Sequence, residues 1–507
     1  MLSKIFSSAI LGIDAYQVEV EVDIGRGLPV FNVVGLPEAS VRESRERVKS
    51  AIKNSGYTFP VSRITVNLAP AHLKKEGTGF DLPIALGILV ASGVIPQEVL
   101  LGYPVRGELS LSGKIKAVRG TLAMALLARR KGYGGIIVPT DNAPEAGVVQ
   151  GLSVFPAGDL AEAVAFLLGT KTIEPVVVDL QALFGGKETH PVDYDEVMGQ
   201  DHVKRALEVA AAGGHNILLS GPPGAGKTML TRRLSTILPP LTFDEAIETT
   251  QVHSIAGILP PRQAIVIRRP FRAPHHTITR VGLTGGGILP SPGEISLAHN
   301  GVLFLDEFPE FSNAVLEVLR QPLEDQHVTL SRAGGTITYP ANFMLVAAMN
   351  NCPCGYLGSP NRECACTEAK IRRYRGTLSG PLLDRIDLHV EVPALPYKTF
   401  ENQARPESSA SIRKRVITAR KIQIERLWGS GMHNNAMICG KNIRKFCPAP
   451  KAGVLLLEQA TTMLGLSARA YGSILKVART IADLEGAPEI GTGHISEAIQ
   501  YRNMERA

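Results

Sequence analysis

Cysteine and long apolar runs are both scarce in this chain. It has six cysteines among 507 residues, far too few for a disulfide scaffold. The longest apolar stretch, Leu82–Ile95, is interrupted by Pro83 and Gly87 and falls short of the roughly 20 residues that span a bilayer. The N-terminus runs into acidic residues without a small-residue cleavage site, which argues against a secretory signal. We therefore expect a cytoplasmic protein that makes no membrane contact.

Positive charge exceeds negative charge only modestly in this chain. Lys and Arg number 54 against 47 Asp and Glu, a net charge of +7, which is compatible with a polyanionic partner without requiring one. A hydrophobic content of 44% with 20% charged residues indicates a folded chain. The length exceeds what one hydrophobic core can fill and predicts about three domains.

The first part of the chain has the pattern of a mixed domain. Residues 1–170 alternate short β-branched runs, such as Tyr16–Ile24, with apolar helical patterns, such as Leu82–Ser92. This alternation predicts an α/β or α+β domain. Residues 171–189 mix proline, glycine and charge without a sustained period, and we interpret them as a linker.

The remaining sequence divides into two further segments. Residues 190–395 carry nucleotide-binding motifs, and the polar stretch 401–411 marks the end of that domain. Residues 396–507 are dominated by helical spacing. Helices are predicted over Lys451–Leu464 and from Ser467 onward, because glycine follows each apolar pattern.

A phosphate-binding loop follows a predicted strand. The apolar run Asn216–Ser220 leads into GPPGAGKT and then into helix-compatible sequence. The loop residues are Gly221, Pro222, Pro223, Gly224, Ala225, Gly226, Lys227 and Thr228. Its glycines let backbone N–H groups wrap phosphates at a helix N-terminus. Lys227 supplies charge to the β and γ phosphates and the Thr228 hydroxyl ligates Mg²⁺, so ATP and Mg²⁺ are the predicted cofactors.

Two acidic residues end a second apolar run. Gly301–Glu307 reads GVLFLDE, the pattern of a buried parallel strand whose carboxylates emerge at its C-terminal edge. We assign Asp306 to the Mg²⁺ shell and Glu307 to orienting and deprotonating the attacking water.

A third apolar run, Phe343–Met349, ends at Asn350 and Asn351. A neutral amide at the same edge can hydrogen-bond the γ-phosphate or the attacking water without adding charge. The alternative is an asparagine that only makes a turn. We favour a sensor role for Asn350.

Four cysteines directly follow this strand in a paired pattern. Cys352, Cys354, Cys364 and Cys366 form two C-x-C pairs separated by nine residues. Four thiolates suit a closed, structural zinc site, although the spacing within each pair is tighter than usual. A reduced loop without metal and a redox switch are the alternatives.

Two insertions flank the acidic strand, and basic residues follow them. Thr277–Ser296 is glycine-rich, which we interpret as unlikely to be packed core. His327–Tyr339 predicts two strands joined by a turn. Basic residues cluster at 370–375 and along 413–426, where they form either a phosphate-binding surface or ordinary solvated faces.

The motifs GPPGAGKT, GVLFLDE, AAMNNCPCG, LLDRIDL and LSARAYGSILKVARTIADL together resemble the magnesium-chelatase-like AAA+ proteins of the YifB/ComM family. The resemblance covers essentially the whole chain. It implies an α/β AAA+ P-loop NTPase core with a helical lid domain, preceded by a degenerate Lon-protease-like (S5-type) α+β domain.

The same resemblance implies roles for three polar residues. Asn350 resembles the first sensor, Arg385 in LLDRID the arginine finger that reaches a neighbouring subunit, and Arg469 in LSARA the second sensor. A finger supplied by a neighbour implies a ring, and for AAA+ relatives a homo-hexamer. Alternatively, Arg385 forms a salt bridge with Asp384 or Asp387, and Arg469 is merely solvated.

Residues 70–139 resemble the proteolytic domain of Lon-type proteases. A serine nucleophile there would need an adjacent base. The family's serine motif places Gly79 at the nucleophile position, and its lysine motif places Leu122 at the lysine position. We therefore expect a scaffold that has lost peptide hydrolysis.

In relatives with these insertions, the helix insertion and the hairpin line the ring's pore, which would make Arg280 and Arg332 DNA-binding residues. The resemblance implies an ATP-driven helicase that promotes branch migration in homologous recombination or natural transformation, with single-stranded or branched DNA as partner. A chelatase-type ATPase subunit and a protein-remodelling chaperone are the alternative functions.

Overall fold

The computed structural model describes residues 1–186, 191–287, 290–332, 335–358, 362–395 and 406–502, without the side chain of Arg332. Contacts between residues divide the chain into two compact units. Unit 1 comprises residues 1–186, 242–267 and 331–339, and unit 2 comprises residues 187–241, 268–330 and 340–507.

The strands, in chain order, are β1 Leu2–Leu11, β2 Asp14–Gly25, β3 Val30–Val34, β4 Arg63–Ala69, β5 Glu108–Leu109, β6 Ile115–Lys116, β7 Gly135–Pro139, β8 Ser153–Ala157, β9 Ile217–Ser220, β10 Phe271–Arg272, β11 Gly285–Gly286, β12 Ser291–Pro292, β13 Val302–Leu305, β14 His327–Arg332, β15 Gly335–Pro340, β16 Met344–Met349 and β17 Leu388–Glu391.

The helices are α1 Ala39–Arg42, α2 Ser44–Asn54, α3 Asp81–Ala91, α4 Gln97–Leu100, α5 Thr121–Arg130, α6 Ala143–Gly147, α7 Leu160–Leu167, α8 Leu180–Gly185, α9 Asp201–Gly213, α10 Lys227–Ile237, α11 Phe243–Ala256, α12 Arg280–Thr284, α13 Glu294–Leu297, α14 Asn313–Glu317, α15 Arg320–Asp325, α16 Glu368–Arg375, α17 Gly380–Leu383, α18 Ser409–Arg426, α19 Lys441–Phe446, α20 Lys451–Leu464, α21 Ala468–Leu484 and α22 Thr492–Gln500.

Unit 1 is built on a four-stranded sheet in the order β1-β2-β4-β3. β1, β2 and β4 are antiparallel neighbours, and β3 lies parallel to β4. Every residue of α3 is buried, and the helix packs on β1 and β2. Most of the apolar stretch Leu82–Ile95 therefore lies in the core of unit 1. Among the described residues no helix is long and apolar enough to cross a membrane.

Residues 242–267 group with unit 1, although they lie in the middle of the predicted 190–395 segment. The helix α11 from this stretch packs against α5. The backbone N–H of Gly120 donates to Ser254 Oγ at 3.0 Å. The Thr242 and Glu245 side chains form a capping box that begins α11, which satisfies two backbone donors of its first turn.

Unit 2 contains a five-stranded sheet in the order β10-β13-β16-β9-β17. Every neighbouring pair is parallel, so the C-terminal ends of all five strands lie along one edge. The strand β16 separates β9 from β13. Residues that follow β9, β13 and β16 are therefore brought together although they are far apart in sequence.

Alternate residues of this sheet enter two separate cores. In β13, Val302 and Phe304 join one core with the helices α9, α10, α18 and α21, while Leu303 and Leu305 join the other with Phe308 and its neighbours. A parallel sheet covered on both faces needs apolar residues on both. This explains why its strands appear in the sequence as continuous apolar runs.

The helices near the C-terminus agree with their predicted bounds. α20 spans Lys451–Leu464 and ends at Gly465, whose φ is +65°. The Ser467 side chain accepts a hydrogen bond from the Ala470 backbone and caps α21. These two predictions are confirmed because local capping chemistry sets the helix ends.

A buried hydrogen-bonded network ties the sheet to α21. His215 Nδ1 lies 3.1 Å from Asp387 Oδ2, and Ser473 Oγ donates to Asp387 Oδ1 at 2.6 Å. His215 Nε2 lies 2.8 Å from Thr480 Oγ1. Burial raises the pKa of the Asp387 carboxyl, but nearby Lys476, His215 and Ser473 outweigh it, so the net pKa is lowered.

Acid should weaken unit 2 through its buried histidines. Burial, with a smaller effect from the charge of Arg502, lowers the pKa of His389 to about 3, below the roughly 6.5 of an unfolded histidine. The stabilisation is therefore fully present above pH 6.5 and is lost as the pH falls towards 3, by up to about 1.4 kcal/mol per pH unit. Urea unfolding at pH 7.5, 6 and 5 measures this slope.

The variant His389→Gln should flatten that pH dependence, because it removes the group that gains a proton on unfolding. His433 is exposed, so His433→Gln is the matched control and should keep the parent slope. An identical slope in His389→Gln and the parent would contradict the assignment.

Candidate functional site

The GPPGAGKT loop joins the C-terminal end of β9 to the start of α10. Gly224 and Gly226 have φ of +77° and +90°, a region that favours glycine. Gly221 N donates to Met349 O at 3.2 Å. A Cβ at Gly221 would lie 2.1 Å from Val392 O, so only glycine fits between the strands that flank β9.

The Lys227 ammonium is buried inside this loop. Its Nζ donates to Gly221 O at 2.6 Å, to Pro222 O at 2.9 Å and to Asn350 Oδ1 at 3.0 Å. Burial lowers the pKa of Lys227, and the charge of Asp306 opposes that shift. All three acceptors are neutral, so the site fits an anion, and phosphate oxygens are the anions that such a loop binds.

The predicted magnesium ligands are in contact. Thr228 Oγ1 donates to Asp306 Oδ2 at 2.8 Å, so a hydroxyl and a carboxylate oxygen meet where β13 ends. Oxygen ligands of this kind, together with phosphate oxygens, suit Mg²⁺. Glu307 follows with a φ of +54°, and its backbone N–H donates to Asp306 Oδ1 at 3.0 Å.

A histidine that the sequence analysis did not identify faces Glu307. His276 Nδ1 lies 3.2 Å from Glu307 Oε2. His276 stacks near His275, with ring centroids 4.1 Å apart, and meets the edge of Phe311. His276 lies a few residues after β10, at the same edge of the sheet. It contacts the carboxylate to which we assign orientation and deprotonation of the attacking water. The one feature of the sequence that could have indicated this role is the position of His276 just after a strand of the sheet.

The two asparagines after β16 have different partners. Asn350 accepts from Lys227, as described above. Asn351 Oδ1 accepts a hydrogen bond from Ser220 Oγ at the end of β9, and its Nδ2 donates to Leu357 O at 3.2 Å. Asn350 thus contacts the loop lysine, while Asn351 braces the adjoining backbone.

The four predicted zinc ligands converge. Their Sγ atoms all lie within 4.8 Å of one another. The separations are 3.4 Å for Cys352–Cys354, and 3.6 Å for both Cys352–Cys364 and Cys354–Cys364. A disulfide would need about 2.05 Å, whereas Zn–S bonds of about 2.3 Å in a tetrahedron place sulfurs about 3.8 Å apart. The thiols therefore fit a four-coordinate zinc ion, which would be structural because no ligand position stays open.

This cysteine cluster packs against the phosphate-binding loop. A Cβ at Gly355 would lie 2.8 Å from Pro223 Cδ. Arg375 Nε, at the end of α16, donates to Asn351 O at 3.3 Å. The cluster and the helix that follows it therefore support the backbone on which Asn350 stands.

The two arginines assigned to the transferred phosphate meet a third residue instead. Arg385 Nη2 lies 2.7 Å from Glu324 Oε2, and Arg469 Nη2 pairs with Glu324 Oε1. Asp387, which the sequence offered as a salt-bridge partner of Arg385, instead bonds His215 and Ser473. No sequence pattern identified Glu324, which lies in α15, as part of this site.

The predicted nucleophile and base positions of unit 1 carry no such groups. A Cβ at Gly79 would lie 3.0 Å from the Arg106 guanidinium, and the Leu122 side chain is fully buried. Neither position offers a hydroxyl or an amine.

The interpretation of Thr277–Ser296 as unpacked is wrong in part. Leu283 of α12 and Ile295 of α13 are fully buried in the second core of unit 2. Of the predicted DNA-binding residues, Arg280 is exposed at the start of α12. Arg332 ends β14, which pairs with β15 as the predicted hairpin, and its side chain lies outside the described part of the chain.

The basic run in α18 is mostly engaged within unit 2. Arg415 pairs with Glu208 at 2.5 Å and with Glu407, and Arg426 pairs with Asp483 at 2.6 Å. These ion pairs hold the helix against its neighbours, and they account for both arginines without a DNA partner. In α16, Lys370, Arg372 and Arg373 are exposed, and Arg372 pairs with Glu368 of the same helix.

The parallel sheet brings together the phosphate loop after β9, the acid pair after β13 and the amide after β16. Together these features define an α/β core of the AAA+ class of P-loop ATPases.

The chain belongs to the YifB/ComM family of magnesium chelatase-like proteins. It is 46% identical over 508 residues to YifB of Salmonella typhimurium, covering 100% of this chain and 98% of that protein. It is 45% identical over 514 residues to the competence protein ComM of Haemophilus influenzae, with the same coverage. A magnesium-chelatase 38 kDa subunit of Rhodobacter capsulatus is 26% identical over 358 residues, which is 63% of this chain and 89% of that protein.

Three family models agree with this membership. The model described as magnesium chelatase, subunit ChlI, matches residues 193–400. The model for subunit ChlI of Mg-chelatase matches residues 20–142, and the ChlI C-terminal model matches residues 406–502. ATP and Mg²⁺ are the cofactors that this family implies, and the loop, Thr228 and Asp306 fit them.

Purified protein should contain about one zinc ion per protomer, because four converging thiols complete a tetrahedral shell. Cys354→Ser removes one ligand and should lose most of the metal, measured by plasma mass spectrometry after dialysis. Cys439 is exposed and outside the cluster, so Cys439→Ser is the control and should keep the metal. A folded parent protein without metal would refute the site.

Proposed function

We propose that this protein is a ring-forming, ATP-driven DNA motor, a helicase that promotes branch migration during homologous recombination or natural transformation. The observation that carries the ring is the position of Arg385. It precedes β17, whereas the phosphate loop follows the parallel neighbour β9, so the two lie at opposite edges of the sheet. A finger at that edge serves the nucleotide of a neighbouring subunit, and a homo-hexamer is the assembly that we propose.

The chemistry that we propose is hydrolysis of the β–γ phosphoanhydride. Glu307 accepts a proton from the attacking water, whose oxygen bonds to the γ-phosphorus as the bond to the bridging oxygen breaks, which gives ADP and inorganic phosphate. Lys227 and Asn350 hold the γ-phosphate. Mg²⁺, held by Thr228 and Asp306, would neutralise charge on the β and γ oxygens.

DNA as the partner has two supports. The relative from Haemophilus influenzae is named a competence protein, and competence is the uptake of DNA. Arg280 and the basic face of α16 are exposed, and arginine and lysine bind phosphate backbones without regard to sequence. We propose Arg280 and Arg332 as DNA contacts in the pore of the ring.

For unit 1 we propose a Lon-protease-like scaffold without peptidase activity. The absence of a hydroxyl at Gly79 and of an amine at Leu122 supports the loss of peptide hydrolysis, since that reaction needs a serine hydroxyl and an adjacent base. Such a domain would serve ring assembly.

Glu307→Gln should lower the kcat for ATP hydrolysis by about 10²–10⁴-fold, the usual contribution of a general base. It should leave ATP binding intact, because the loop and Lys227 are unchanged. Phosphate release measures turnover, and a fluorescent ATP analogue measures binding. Glu310→Gln, three residues further on, is the control and should keep parent turnover. Undiminished hydrolysis in Glu307→Gln would contradict the catalytic assignment.

DNA should stimulate ATP turnover, and Arg280→Ala should weaken DNA binding. Loss of one phosphate contact lowers the slope of log affinity against log salt by about 1. Fluorescence anisotropy with forked DNA at several salt concentrations measures that slope. Arg129, exposed in unit 1, gives the control Arg129→Ala, which should keep it.

Electron microscopy of Glu307→Gln protein with ATP and forked DNA would count the subunits of the ring. Turnover that ignores DNA, with no strand displacement, would overturn the motor and favour a chelatase-type or chaperone role.

A further inference from the structure

One carboxylate in α15 engages both candidate phosphate-binding arginines. Each oxygen of Glu324 has its own partner: Oε2 lies 2.7 Å from Arg385 Nη2, and Oε1 pairs with Arg469 Nη2. The hydrogen bond from Arg385 and the charges of both arginines lower the pKa of Glu324. The three side chains come from segments well separated in sequence, since Glu324 and Arg469 are 145 residues apart.

This cluster lies far from the phosphate loop of its own chain. The Asn216 side chain donates to Arg385 O at 3.0 Å, and Asn216 directly precedes β9. The loop begins after β9, whose four residues span roughly 13 Å at about 3.3 Å per residue. Because Arg469 shares the carboxylate with Arg385, it lies at the same edge. Both arginines thus lie at the edge of the sheet opposite their own phosphate loop.

The three side chains of the cluster carry a net positive charge. Two guanidinium groups and one carboxylate sum to +1, which suits an approaching phosphate. The Arg385 side chain is only 10% exposed, against 42% for Glu324 and 45% for Arg469. Arg385 Nη1 donates to Pro381 O, so one side of its guanidinium is already fixed by the backbone. Glu324 fixes the other side.

We propose that Glu324 is a positioning residue that holds Arg385 and Arg469 as one unit, directed at the nucleotide bound by the neighbouring subunit. Two charge-assisted hydrogen bonds limit the rotamers of two long side chains before the phosphate arrives. Preorganised donors stabilise the charge that develops in the transition state more than mobile donors do. Without the carboxylate, two like charges would repel each other and separate. This inference rests on the proposed function and adds a residue to it.

Glu324→Gln keeps the shape of the side chain and removes its charge. We expect kcat for ATP hydrolysis to fall about tenfold or more, and by no more than the roughly 10³–10⁵-fold that an arginine finger contributes. The KM for ATP and the binding of a fluorescent ATP analogue should change less than twofold, because the phosphate loop is untouched. A merely structural role would alter folding or binding rather than split kcat from KM in this way.

Mixing variants tests whether the defect is passed to a neighbour. A Glu324→Gln subunit has an intact ATP site, and a Glu307→Gln subunit has intact arginines. When the two impaired variants are mixed, each Glu324→Gln site beside a Glu307→Gln neighbour should regain turnover, so the mixture should exceed both pure samples. In a background of Arg385→Ala and Arg469→Ala, adding Glu324→Gln should change nothing further.

The matched control is Glu317→Gln. Glu317 is similarly exposed and pairs with Arg320 at 2.7 Å, so its replacement removes the same charge nearby without freeing either arginine. It should keep parent kcat. An unchanged or raised kcat in Glu324→Gln, or no recovery on mixing, would overturn the inference. A parent protein that hydrolyses no ATP would instead refute the proposed function.

Discussion

The phosphate site of unit 2 is built around one buried ammonium group. Lys227 sits among two backbone carbonyls and one amide oxygen, with its pKa lowered by burial. A buried cation is costly unless it is paired, and Asp306, the carboxylate whose charge acts on Lys227, is already bonded to Thr228. Phosphate oxygens would balance that charge. The loop glycines, the strand order and the amide after β16 all serve to create this environment, since each places a neutral acceptor or a backbone donor around Nζ.

Local chemistry made much of this predictable from sequence. The strands before the phosphate loop, the acid pair and Asn350 appear as apolar runs because both faces of a parallel sheet are covered, and the paired motifs then place their ends at one edge. Capping residues likewise set the ends of α20 and α21. The cysteine cluster was also visible, because four thiols paired within fifteen residues are the pattern of a structural zinc site.

The features that the sequence did not predict depend on contacts between segments that are distant in the chain. His276 faces Glu307 only because β10 and β13 are neighbours, and Glu324 reaches Arg469 only after the whole unit has folded. The arginines of α18 appeared in the sequence as a basic surface. Their acidic partners, Glu208 and Asp483, are hundreds or tens of residues away, so no local pattern announces the pairing. In Thr277–Ser296, glycine content suggested exposure, while Leu283 and Ile295 supplied enough apolar surface to join the core.

If Arg385 acts on a neighbour as proposed, a chain with its phosphate loop at one edge of the sheet and Arg385 at the other contributes half of each of two reaction centres. On this geometry, specific activity would vary with protein concentration: dilution below the dissociation constant for assembly would silence each molecule without unfolding it, and mass action would link subunit association to catalysis. Turnover per molecule would then depend on the concentration of the chain. Total activity in a cell would rise steeply once that concentration exceeds a threshold, rather than in proportion to the amount of protein.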